Sequence, residues 1–258
     1  MTMKLLFLTF LISFSAMAVQ NADLLINRFD RDLYNPKNLG LKKLTFEARI
    51  AGLTESLKAK TIIENINEIY YEVQWNNKTG FSLQVVGLPQ GFREIRYQLK
   101  MLLADKLYFF IPLKIRNRTK DYRGVVKKER NLLYVTLTDP SNEKNISKIN
   151  LVFDKQGRLN IIDSFSLGFR TKTTMTLEKE SWSRKKWVLN ELLMENIQKN
   201  INSSTNYQVT YKKVGKFAFP EVVDILTEVK TLKDKFSGDS KVLGQVKSKI
   251  NFSNFKVN

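Results

Sequence analysis

The side chains that could do chemistry in this sequence are carboxylates, lysines, tyrosines and hydroxyls, because its 258 residues include no histidine and no cysteine. The two absences exclude disulfides, Cys/His metal sites, and mechanisms that need a His base, a Cys nucleophile or a Ser–His–acid triad. No Walker loop, dinucleotide fingerprint, GxSxG motif or calcium-binding Asp ladder is present either.

The carboxylates offer no obvious catalytic pair. Asp139, Asp154 and Asp163 lie near predicted turns or on the polar side of a predicted strand. A glycosidase needs two carboxylates that face one cleft, and nothing in the sequence pairs any two of these. We therefore expect no catalytic residue, no metal and no cofactor, and we predict a binding protein rather than an enzyme.

Basic residues outnumber acidic ones, with 43 Lys and Arg against 25 Asp and Glu and a formal net charge of +18. Such a chain is attracted to anions, whether nucleic acid, an acidic membrane surface or an anionic polymer. The densest basic run lies at 114–130. It could grip phosphates or lipid headgroups, or it could be an ordinary solvated face.

Residues 1–18 are typical of a secretory signal peptide, with a lysine at position 4, an apolar run over 5–12 and the cleavage pattern Ala16-Met17-Ala18. The apolar run is shorter than the roughly 20 residues that a membrane span needs. No cysteine stands at the cleavage site, so no lipoprotein anchor is expected. We predict export to a bacterial periplasm and a soluble, monomeric mature chain without an integral membrane span. Because an exported protein rarely meets its chromosome, we expect no nucleic-acid partner.

Two amphipathic helices are predicted among many strands. Over 21–34, Leu25, Phe29 and Leu33 recur at helical spacing on one face. Residues 92–110 carry a second helical stripe. A lone helix between strands most simply packs across the apolar face of a sheet as a lid. The predicted lid residues are Phe92, Ile95, Leu99 and Leu103.

Apolar and polar residues alternate through most of the remaining chain, which indicates antiparallel strands with one apolar face. We predict a mainly β (α+β) fold over 19–258, a single domain with one curved antiparallel sheet. Residues 187–199 fit a strand or a helix, and a strand over 217–226 would be an edge strand because it contains Pro220. Residues 228–248 are polar and Lys-rich, which predicts a mobile loop, and 249–257 predict a last strand with a bulge.

Two helices are few for so many strands, so a partly covered sheet would leave an apolar cavity, the usual form of a small-molecule or lipid site. The alternative is a sheet that folds on itself into a filled barrel or sandwich. Basic residues at the rim could meet headgroups or acidic partners, namely Arg49, Arg93, Arg96 and Lys100. The predicted cavity lining is Phe46, Ile50, Tyr71, Val73, Trp75, Phe81, Leu83, Val135, Leu151 and Phe153.

The order of helix, strands, central amphipathic helix and long meander resembles the LolA-like family of periplasmic outer-membrane lipoprotein-sorting proteins. The similarity is most detailed within 132–177, where LLYVTLTDPSNEKNISKINLVFDKQGRLNIIDSF follows the family's succession of strands and turns. The final KINFSNFKVN is similar to the C-terminal segment of many members of that family. The resemblance implies an unclosed β-barrel with a helical lid, whose hollow shields acyl chains on their way through the periplasm. The family's "dG..lw.yd" strand pair is not evident, and Arg49 is by order the nearest counterpart of its lid-latching arginine.

The sequence thus predicts an exported carrier or binding protein for lipoprotein acyl chains, lipid or another hydrophobic ligand, with envelope membrane proteins as further partners. The alternative is a non-enzymatic envelope interaction protein that docks through its basic surface on anionic polymer or lipid headgroups, with binding that fades with salt. An outer-membrane barrel is a third possibility. Its strands should run about 9–11 residues, longer than those predicted here.

Overall fold

The computed structural model describes residues 22–60, 66–198, 201–231 and 241–258. The predicted signal peptide at 1–18 lies outside these ranges. Four helices are described, α1 over residues 22–32, α2 (Leu53–Lys60), α3 (Arg93–Ala104) and α4 (Ile115–Thr119). Two 3₁₀ turns span Pro36–Leu39 and Asp105–Phe109.

The described strands form one antiparallel sheet. They are β1 (Lys43–Ile50), β2 (Tyr70–Asn76), β3 (Gly80–Val86), β4 (Arg123–Glu129), β5 (Leu132–Thr138), β6 (Ile146–Asp154), β7 (Leu159–Ser166), β8 (Phe169–Lys179), β9 (Trp187–Gln198), β10 (Ile201–Val214), β11 (Phe217–Thr231) and β12 (Val242–Val257).

The twelve strands lie in the order β3-β2-β1-β12-β11-β10-β9-β8-β7-β6-β5-β4, so β3 and β4 are the edges and the sheet is not closed. The chain crosses from one edge to the other between β3 and β4, and this crossing contains α3 and α4. This confirms the prediction of a mainly β fold built on a single unclosed antiparallel sheet, and it is consistent with a half-barrel.

Two large hydrophobic clusters cover opposite parts of one face, which we call the inner face. The lid cluster joins β1–β3 and β10–β12 to α3, and includes Phe46, Tyr71, Val73, Trp75, Leu99, Leu103, Phe110, Phe219 and Phe252. The α1 cluster joins α1 to β5–β8 and the start of β9, and includes Ile26, Phe29, Val135, Leu137, Leu151, Phe153, Leu159, Leu177 and Trp187. Each predicted helix therefore buries its apolar stripe against a different part of the sheet.

The helix predicted over 92–110 is shorter than expected. It ends at Ala104 and continues as the 3₁₀ turn Asp105–Phe109. The tighter turn has about three residues per turn, and it spaces Leu107 and Phe110 so that both are buried in the lid cluster. Phe110 stacks on Phe46 with 4.2 Å between ring centroids. The sequence did not predict α2 and α4.

The prediction of a mobile loop over 228–248 is wrong at both ends. Strand β11 runs to Thr231 and β12 begins at Val242, with Glu228 opposite Gln245 and Val229 opposite Gly244. Residues 232–240 lie outside the described ranges. The composition misled because the side chains at the start of β12 are exposed, so this end of the sheet can be polar. The ambiguous segment 187–199 is a strand over its described part, β9.

Pro220 does not mark an edge strand, because β11 lies between β10 and β12. The pairing of β10 with β11 shifts register next to it, from Thr210 opposite Val222 to Tyr211 opposite Pro220. A bulge tolerates the missing N–H of proline inside a sheet. The bulge predicted in the last strand is confirmed, since the register of β1 with β12 shifts near Asn254, whose φ is 57°.

Candidate functional site

Seven of the ten predicted cavity residues belong to the lid cluster. Phe46, Tyr71, Val73 and Trp75 are buried there, and the remaining three, Ile50, Phe81 and Leu83, are partly buried against it. Their strands alternate as predicted, with the buried side chains on the inner face. These residues pack as a core beneath α3.

The other three predicted cavity residues lie in the α1 cluster. Val135, Leu151 and Phe153 are fully buried beneath α1, where Phe153 meets Phe29 edge to face with 6.1 Å between centroids. The structure therefore divides the predicted lining between two packed clusters and does not bring it together around one space.

Three of the four predicted lid residues pack on the inner face. Leu99 and Leu103 of α3 are buried and Ile95 is partly buried, all in the lid cluster. Phe92 precedes the first turn of α3 and is partly buried. The opposite face of α3 is exposed, and its Tyr97 is 60% exposed.

Arg96 fastens α3 to the end of β3. Its Nη1 donates to the carbonyl of Val85 at 2.9 Å, and its Nη2 donates to the carbonyls of Leu88 at 3.3 Å and Pro89 at 3.1 Å. Of the predicted rim residues, Arg96 thus makes hydrogen bonds to the backbone at the end of β3 and just after it. Arg93 is exposed and Lys100 is half-buried on the same helix.

Arg49 lies on the face of β1 opposite the lid. Its Nη1 contacts the carboxylate of Glu47 at 2.6 Å, its Nε contacts Glu68 at 3.0 Å, and the guanidinium lies over the ring of Tyr70. These partners hold its pKa above the ordinary value, with the hydrogen bond to Glu47 as the largest cause. The partners of Arg49 thus lie in β1, in β2 and just before β2, whereas Arg96 is the predicted rim residue that joins α3 to the end of β3.

Between the two clusters, the inner face of the four central strands carries half-buried side chains. We call these residues the central strip. Its position follows from strand pairing, since Thr205 lies four residues from the buried Val209 and opposite both Met194 and Thr227. The central strip comprises Thr171, Thr173, Leu192, Met194, Ser203, Thr205, Thr227 and Val229.

The central strip is amphipathic rather than uniformly apolar. Among the described residues, neither large cluster includes its Leu192, Met194 or Val229. Three of its hydroxyls are bonded across strands, those of Thr205 and Thr227 to each other at 3.1 Å and that of Thr171 to the Asn196 side chain at 2.9 Å. The sequence analysis missed the strip because serine and threonine read as polar. The alternation Ser203, Thr205, Tyr207 was the available signal.

Two tyrosines of the lid cluster have shifted pKa values, Tyr71, which is buried in it, and Tyr211, which is partly buried against it. Burial raises the pKa of both Tyr71 and Tyr211 far above the ordinary value. The Tyr211 hydroxyl donates to the carbonyl of Leu189 at 3.0 Å. The Tyr71 hydroxyl is buried and has no hydrogen-bond partner within the described part of the chain. An unpaired buried hydroxyl destabilises the fold unless something satisfies it.

Within the described ranges, no group of three or more acidic side chains is placed to hold a metal ion. No helix of those ranges is both long enough and apolar enough to cross a membrane. No protein-family model matches the chain, and no curated protein matches it in sequence. The candidate site therefore depends on geometry alone.

Proposed function

We propose that the chain is an exported, LolA-like carrier that holds an acyl chain of a lipid or lipoprotein along the central strip. The observation that carries this proposal is the division of the inner face. Two helix-covered clusters flank a middle zone where half-buried Leu192, Met194 and Val229 belong to neither cluster. Export is proposed from the pattern of residues 1–18, and the non-enzymatic character from the absence of histidine and cysteine.

The energetics favour an extended apolar ligand. Each methylene that leaves water contributes about 0.8 kcal/mol, so an acyl chain gains affinity from length without specific polar contacts. The Thr205 and Thr227 hydroxyls bond to each other, and the Thr171 hydroxyl donates to the side-chain oxygen of Asn196. A ligand along the strip therefore does not have to satisfy these groups, which supports acyl chains over polar ligands.

The lid provides a means of access in this proposal. Leu103 and Leu107 of the segment that begins with α3 are buried in the lid cluster, and Phe109 of the same segment meets Tyr207 of β10 with 5.5 Å between centroids. Tyr207 lies on the inner face next to Thr205. A movement of this segment would widen the space beside the strip, and Arg96 would resist that movement through its three carbonyl contacts.

A matched pair of variants on one strand tests the proposal. Thr205→Phe fills the strip, whereas Ser204→Phe adds the same ring on the outer face of β10. Binding of a fluorescent C16 fatty acid is measured for both variants and for the wild type. We expect Thr205→Phe to weaken binding by about tenfold or more and Ser204→Phe to leave it unchanged. Equal affinity of all three proteins would overturn it.

A further inference from the structure

A polar pocket of about 490 Å³ lies where α1, the turn Pro36–Leu39, α4 and the segment before β9 meet. None of its lining residues belongs to the central strip. Its volume is within the range of about 300–1,000 Å³ that is usual for small-molecule sites. Its lining is mostly charged and amide side chains, so its ligand must differ from an acyl chain.

The pocket carries an excess of positive charge. Four of its nine lining residues are cationic, Arg31, Lys114, Arg116 and Lys186, and one is acidic, Asp30. Three asparagines add neutral amide donors to the lining. Sequence analysis noted only the run 114–130, whereas folding brings two of its cations beside Arg31 and Lys186.

The single lining carboxylate is already engaged. The two carboxylate oxygens of Asp30 accept the backbone N–H groups of Ile115 at 2.8 Å and Arg116 at 2.9 Å. The residue is 7% exposed, and burial raises its pKa above the ordinary value despite these two bonds. Asp30 therefore serves to hold the start of α4, and it offsets only part of the surrounding charge.

Two flanking acids orient the cations without neutralising them all. Asp23 contacts the guanidinium of Arg116 at 2.7 Å. Asp32 is shared by Arg28 at 3.9 Å, Arg31 at 3.5 Å and Lys186 at 3.5 Å. Lys114 makes no ion pair within 4 Å in the described part of the chain. The pocket thus presents guanidinium and ammonium groups, three of them paired with flanking acids, and it retains an excess of positive charge.

We propose that this pocket binds a phosphate group carried by a small organic molecule or a lipid headgroup. Guanidinium forks and lysine ammonium groups are the preferred donors for phosphate oxygens, and charge-assisted hydrogen bonds are the strong ones. The volume exceeds that of phosphate alone, so an attached sugar or glycerol fits as well. The site is additional to the proposed acyl-chain site, and either one can fail without the other.

The test uses the full mature chain and a double variant, Arg31→Ala with Lys114→Ala. Both side chains are exposed, and within the described ranges Arg31 forms an ion pair with its neighbour Asp32 whereas Lys114 forms none. The matched control is Lys78→Ala with Arg123→Ala, which removes the same two charges from exposed positions outside the pocket. Circular dichroism verifies that both double variants are folded with the wild-type melting temperature.

Calorimetry with sn-glycerol 3-phosphate and with inorganic phosphate measures the soluble source. Sedimentation with phosphatidylglycerol vesicles, compared with phosphatidylcholine vesicles, measures the headgroup source. We expect the pocket variant to bind at least one of these phosphate probes about tenfold more weakly or worse, while the control retains the wild-type affinity. The affected probe identifies the source. The proposal is overturned if no probe binds at about 10 mM, or if both double variants lose affinity equally.

Discussion

Replacement of Arg96 by alanine is expected to loosen α3 from the sheet while the protein stays folded. The guanidinium spans the gap from α3 to the end of β3, with donor–acceptor distances of 2.9 Å to Val85, 3.1 Å to Pro89 and 3.3 Å to Leu88. Arg96 is therefore the polar tether of the lid, in addition to the apolar packing of Leu99 and Leu103.

The size of the effect follows from these contacts. A hydrogen bond with an ionised donor contributes about 1.5–3 kcal/mol when buried, but Arg96 is only half-buried and water replaces part of that. With about 1 kcal/mol for each of its two bonded nitrogens, the loss is about 2 kcal/mol. Since about 1.4 kcal/mol corresponds to a tenfold change in an equilibrium constant, the open state of α3 should become about 30-fold more populated.

Amide hydrogen exchange of α3 measures this population directly. The control is Arg93→Ala, which removes an exposed arginine from the same helix. We expect exchange of the α3 amides to accelerate in the Arg96 variant alone, while the amides of β5 and β6 beneath α1 keep their rates. Identical exchange in the two variants would refute the role of Arg96 as a tether.

Three further changes probe the fold. Tyr71→Phe removes a buried hydroxyl without a described partner and should raise the free energy of unfolding by about 1 kcal/mol in urea titrations, whereas a decrease would mean that the hydroxyl is bonded. Gly87→Ala places a Cβ against the Glu68 carbonyl at φ +92° and should cost at least about 2 kcal/mol more than Gly91→Ala, which is strained at φ +108° but unobstructed. Hydrogen bonds, first of all from the Lys144 N–H, lower the pKa of Asp139 from 3.8, so its stabilisation is present above pH 3.8 and lost as the pH falls through the lowered pKa. In Asp139→Asn, the melting temperature should therefore depend less on pH over that acidic range. The same slope of melting temperature against pH as in the wild type would contradict this.

The periodicity of apolar residues predicted which side chains of each strand and helix are buried. The period-two alternation of Tyr71, Val73 and Trp75 and the helical stripe of Ile95, Leu99 and Leu103 both identified side chains that pack on the inner face. Such periodicity reports which side of an element is covered. It does not report which element covers it, and so the ten predicted cavity residues could not be divided between the lid cluster and the α1 cluster in advance.

The candidate site depended on pairings distant in sequence. Thr205 meets Met194 and Thr227 only because β9, β10 and β11 are neighbours, and nothing local distinguishes these residues from a solvated strand. The role of Arg96 likewise could not be predicted, because Arg96 bonds to three backbone carbonyl groups and every residue carries such a group. The end of β11 could not be recognised as a strand, because it pairs with the exposed, polar start of β12 and lacks the apolar alternation from which strands are recognised.

The central claim is that the chain carries an acyl chain, and native mass spectrometry of the protein purified from the periplasm tests it most directly. We expect a bound mass of one lipid or acylated molecule per protein, which is retained by Ser204→Phe and depleted by Thr205→Phe. Protein of the unliganded mass alone, in the wild type and in both variants, would contradict the proposed role as an acyl-chain carrier.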